Sequence, residues 1–95
     1  MTDTIERVLK IDALALSVST NGNFSTVSKT WPQSQKNYKL GLGFLRMVLY
    51  EFEEQFNLRI ISWQTEEYPA TRMVQILINH EPKLHTPSGM LGGPG

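Results

Sequence analysis

The run Leu42–Phe56, LGFLRMVLYEFEEQF, places the tightest constraint on how this chain folds. Leu42, Leu45, Leu49, Phe52 and Phe56 recur at spacings of three and four, the period of one helical face. At about 100° per residue Val48 joins that face, whereas Leu40, Phe44 and Met47 gather roughly 100° or more from its centre. One sheet covers one side of a helix, so the second cluster needs another cover: the segment before the helix, or another subunit. Ser34 and Asn37 are candidate N-caps and Asn57 a plausible stop. Gly41 and Gly43 weaken the first turn, each costing ~1 kcal/mol against alanine inside a helix.

The flanks read as strands. Leu14, Leu16 and Val18 alternate with Ala15, Ser17 and Ser19, the period of a half-buried strand. Asn21-Gly22 is a tight-hairpin signal, after which NFSTVSKTW resumes as a second strand. A two-residue loop at that dipeptide sets Leu16 against Val27, Asp12 against Trp31 and Phe24 against Ser19. The first strand starts as early as Glu6, or Ile5, Val8 and Leu9 form one helical turn instead. Trp31-Pro32 closes the hairpin.

After the helix, LRIISWQ and TRMVQILINH are β-rich, with Val74, Ile76 and Ile78 alternating against Met73, Gln75, Leu77 and Asn79. TEEYPAT between them reads as an open, acidic tip, and Pro82 ends the last strand. The expected fold is a two-layer α+β domain over residues 1–86: about four antiparallel strands in the order β-β-α-β-β, one face covered by the helix. Residues 87–95, rich in proline and glycine, read as a flexible tail.

Composition narrows function. With 95 residues there is room for one core, and 9 basic against 9 acidic residues lack the positive balance of a dedicated nucleic-acid binder. The absence of cysteine removes disulfides, thiolate metal sites and thiol nucleophiles. The N-terminal stretch lacks the apolar core of a signal peptide and no segment is apolar enough to span a membrane, so the expectation is a cytoplasmic, soluble protein.

Gly41-Leu42-Gly43-Phe44 resembles the carboxylate-binding loop of PDZ domains over four residues. In that family the loop leads into a strand that pairs with a peptide, whereas here helical period follows, so no residue role is carried across. The same glycines, with Lys36 and Lys39 before them, could hold a small anion such as a nucleotide at a helix start. The alternative is that they let the helix end approach the sheet closely.

His80 and His85 flank Glu81, a spacing that straddles Pro82 and lacks a third ligand, so no metal is expected and His80 reads as an exposed strand-end residue. Glu51, Glu53, Glu54, Glu66 and Glu67 read as a solvated helix face and loop tip. Ser25 and the other strand serines sit in no nucleophile motif. Phe24, Lys29, Trp31, Arg59, Trp63 and Arg72 all fall on expected strands, and a single-stranded nucleic-acid platform requires the aromatics to share a face with Lys29, Arg59 and Arg72.

Surfaces are therefore in excess and chemistry in deficit. The leading expectation is a non-enzymatic interaction protein needing no cofactor, homo-oligomeric with a dimer favoured. It would act through Leu40, Phe44 and Met47 on the helix, or through the second sheet face, where Ala15, Phe24, Trp63, Met73 and Leu77 are candidates. A small anionic ligand and nucleic acid are the alternative partners.

Overall fold

The computed structural model describes residues 3–32 and 41–83. Five strands and one α-helix follow in the order β1 (Ile5–Ile11), β2 (Leu14–Asn21), β3 (Phe24–Thr30), α1 (Leu42–Phe56), β4 (Leu58–Tyr68) and β5 (Met73–Pro82). A 3-10 turn, Pro69–Thr71, joins β4 to β5. The strands form a single antiparallel sheet in the order β1-β2-β3-β5-β4. The fold is thus α+β, with one strand more than expected and a three-stranded meander before the helix.

The additional strand is β1. It returns on β2 through Asp12-Ala13, with Ile11 paired to Leu14. Asp12 takes the left-handed conformation at φ 53°, which aspartate tolerates better than most residues. No glycine or proline marks this turn, so its sequence signal is weak.

The β2–β3 loop is Gly22-Asn23 rather than Asn21-Gly22, with Asn21 paired to Phe24 and Val18 to Val27. Gly22 has φ 64° and Asn23 does not share the positive sign, the pattern of a type II′ hairpin with glycine first. Relative to the expected register the pairing moves by two residues. That shift preserves which side chains face the core, and hydrophobic alternation cannot detect it.

Alternation then builds the core. Leu9 and Ile11 of β1, Leu16 and Val18 of β2, Val27 of β3, and Val74, Ile76 and Ile78 of β5 are buried on one face. Leu45, Val48 and Phe52 of α1 are buried against them, with Phe44, Leu49, Phe56, Leu58 and Ile60 packed at the margin. Helix α1 lies against β1 and β4, the two edge strands, so the sheet curls around it.

Three expectations for the helix are corrected. Leu42 is 64% exposed rather than part of the core side; a Cβ built on Gly41 or Gly43 meets nothing within 4 Å. The first turn thus overhangs the sheet among the described residues, and close approach is not why glycine stands there. Phe44 is half-buried against the core instead of standing free. Asn57 does end the helix, at φ 55° and ψ 49°, its N–H donating to the Glu53 carbonyl, a left-handed cap that asparagine accepts.

Candidate functional site

Among the described residues strand β4 is paired on one side only. Its first residues are tied to α1, where the Glu53 carboxylate accepts the Ile60 N–H at 2.7 Å. Beyond them every residue from Ile61 to Tyr68 is exposed. Glu66 and Glu67 belong to this strand, paired with Gln75 and Val74, so the acidic tip expected there is ladder, and the turn is only residues 69–72.

The orientation of β4 depends on a bulge. Ile60 pairs with His80 and Ser62 with Asn79, leaving Ile61 as the extra residue. From Ser62 onward the faces are therefore exchanged relative to simple alternation. Trp63 lies opposite the buried Ile78 on the helix side, whereas counting in twos from Ile60 turns it to the other face. It lines a groove of about 310 Å³ with Leu49, Tyr50, Glu53 and Ile60. Trp63 is 45% exposed and Tyr50 61% exposed, while Met47 is also open on α1.

Among the described residues, this edge has backbone groups that no strand pairs. The His80 N–H donates to the Asn23 carbonyl at 2.9 Å, so His80, and by alternation Ile78, Ile76 and Val74, direct their backbone groups toward β3. Their β4 partners Trp63, Thr65 and Glu67 therefore point N–H and C=O away from β5. Glu53 occupies the Ile60 N–H, and no described strand meets the other three.

The opposite edge is partly closed. The Gln55 side-chain amide donates to the Lys10 carbonyl at 2.6 Å and accepts the Lys10 N–H at 3.2 Å, imitating one rung of a strand. Gln55 Nε2 also donates to Glu51 at 2.9 Å, which steadies it. Glu6 and Lys10 add charge to this edge, a common guard against pairing.

Under the helix runs a row of polar groups that crosses four strands. An Arg7 Nη donates to Thr20 Oγ1 at 3.0 Å, Thr20 Oγ1 and Ser25 Oγ are 2.7 Å apart, and Ser25 Oγ and His80 Nε2 are 2.7 Å apart. Phe52 covers His80 with ring centres 5.6 Å apart, and Phe56 lies 4.1 Å from the Arg7 guanidinium carbon. His80 is 2% exposed and Ser25 0%, which corrects the expectation of a solvent-facing histidine. Desolvation first, and the nearby Arg7 charge second, lower the His80 pKa below the ordinary 6.5. A hydroxyl sealed beneath Phe52 cannot meet a substrate, so this serine–histidine contact acts in packing. Register alone brings these residues together; Ser25 and His80 are 55 positions apart.

The remaining candidates are dispersed. Phe24 is on the face away from the helix, paired with Asn21 and Asn79, and Trp63 is on the helix side. Lys29 lies 5.7 Å from the Trp31 ring, Arg59 donates to Glu81 beside it on the sheet, and Arg72 Nε donates to the Pro32 carbonyl at 3.2 Å. These three cations do not converge with the aromatics on one surface. Gly41 and Gly43 begin α1, while Lys36, Lys39 and Leu40, together with Ser34, Asn37 and His85, lie outside the described residues, as does the tail.

Among the described residues no group of three or more His, Cys, Asp or Glu side chains could hold a metal ion, and no helix is long and apolar enough to cross a membrane. No protein-family model, curated protein or solved structure matches the chain.

Proposed function

We propose that this chain is a non-enzymatic interaction protein, an adaptor, inhibitor or small regulatory subunit, whose contact surface is the β4 edge with the groove beside α1. One observation carries the reading: Trp63 and Tyr50 stand exposed around a largely apolar groove, next to a strand whose backbone groups at Trp63, Thr65 and Glu67 have no described partner. Aromatic residues beside unpaired strand groups combine hydrophobic anchoring with directional hydrogen bonding, which suits strand addition. The second sheet face also exposes Val8, Phe24 and Tyr68, but on three separate strands and with polar and charged residues between them.

A photoreactive phenylalanine analogue at position 63, introduced in the cells that make the protein, tests this. The expected result is a protein adduct of defined mass that is absent when the analogue replaces Ser17 on the opposite face. Equal adducts from both positions, or none from position 63, would defeat the reading.

A further inference from the structure

We infer that the occupant of the β4 edge is the β4 edge of a second copy, paired antiparallel about a two-fold axis at Trp63. The inference rests on the proposed contact surface and adds its partner and register. Side chains opposite one another in such a pair must share a face, so the bulge at Ile61 must be matched in the count. With Trp63 opposite itself, Ser62 meets the partner's Gln64 and Thr65 meets the partner's Ile60-Ile61 bulge. Beyond the bulge, Arg59 stands opposite the partner's Glu66, and the symmetry repeats that contact.

Charge selects this register. Arg59 lies on the same face as its neighbour Glu81, and Glu66 on that face beside Tyr68, whose O–H it accepts at 2.6 Å. Each keeps bonding capacity after these contacts, since arginine has five N–H donors and a carboxylate two oxygens. Centring the pair on Gln64 would set Arg59 against the partner's Tyr68. Centring it on Thr65 would set Glu67 against the partner's Trp63. Only the Trp63 register joins a cation to an acid, and it also places two tryptophans side by side on the helix side, each above its own groove.

The competing edge is less suited. β1 has 7 residues against 11 in β4, and Gln55 already occupies the Lys10 rung. The formal net charge of zero imposes no long-range repulsion between copies.

Light scattering and sedimentation equilibrium of the full chain test the proposal, with mass expected to rise with concentration from 10.8 kDa toward twice that value. Thr65→Pro removes an outward N–H without touching the β4–β5 ladder, a position where an edge strand accepts proline. It should weaken dimerisation roughly tenfold or more, because symmetry deletes two hydrogen bonds at once. Glu66→Arg should weaken it as well, and the double exchange Arg59→Glu/Glu66→Arg should restore it; these variants decide the matter if the proline variant fails to fold. A chain that stays monomeric to millimolar concentration overturns the inference. So does a dimer indifferent to Thr65→Pro and to the charge exchange. If photocrosslinking from position 63 captures a different protein while the purified chain is monomeric, the contact surface stands and the second copy does not. No adduct at all removes both.

Discussion

The two edges of the sheet invest similar resources differently. At the β1 edge polar groups are turned inward: Gln55 closes a rung on Lys10, and Arg7 joins Thr20, Ser25 and His80 beneath Phe52 and Phe56. At the β4 edge Trp63 and the rungs at Thr65 and Glu67 are left facing out. Residues of this inward row and its covers should therefore govern stability, and the exposed residues along the β4 edge should be nearly silent in stability and speak only in association.

The largest expected effect is that of Phe52→Ala. Phe52 is fully buried over the polar row, and its loss should cost about 3–5 kcal/mol in urea unfolding, consistent with large-to-small core changes. A loss under about 1 kcal/mol would mean that the helix does not seal this side.

Ser25→Ala should cost about 1–3 kcal/mol, because it leaves Thr20 and His80 without their shared partner in a buried site. A neutral result in the same assay would show that the row adds nothing to packing.

The third test is pH. The folded His80 pKa lies below its ordinary 6.5, so the unfolded chain binds more protons in that window and stability increases with pH there. Its contribution should be complete above about pH 6.5 and lost as pH falls through the folded value, seen as a falling Tm. His80→Gln should flatten that slope, and an unchanged slope would assign it to other groups.

Smaller effects separate the edges directly. Gln55→Ala should cost about 0.5–1.5 kcal/mol, two exposed hydrogen bonds to Lys10 being lost, and should make the Lys10 amide exchange faster. Thr65→Lys on β4 should stay within about 0.5 kcal/mol of wild type, even while it disturbs self-association. A larger thermal shift for Thr65→Lys than for Gln55→Ala would erase the contrast.

How much could be read in advance differs by element. The α1 period and the Asn57 stop were legible because one helical period runs through the segment and a residue suited to left-handed backbone follows it. The start was not: the sequence leaves it open between Leu42 and the turn before it, and Gly41 rather than Ser34 or Asn37 caps it. The inward faces of β2, β3 and β5 were legible from alternation at Leu16, Val18, Val27, Val74, Ile76 and Ile78. The β1–β2 turn was not, since Asp12-Ala13 bears no glycine or proline. Nor was the helix-side placement of Trp63, because an extra residue at Ile61 leaves no local chemical mark. The burial of His80 was hidden for another reason: its partners Thr20, Ser25 and Phe52 arrive from distant segments, and a strand-end position says nothing about what folds over it. Trp63, expected on the second sheet face, stands instead on the helix side opposite Ile78.

The bulge at Ile61 also means that the outward half of β4 is written in a reading frame. Deleting that one residue would exchange the two sheet faces from Ser62 to Tyr68, sending Trp63 to the far face and Glu66 to the helix side. Substitutions along the strand would alter the message one letter at a time, whereas a single insertion or deletion there would rewrite all of it while leaving the hydrophobic core residues of β5 where they are.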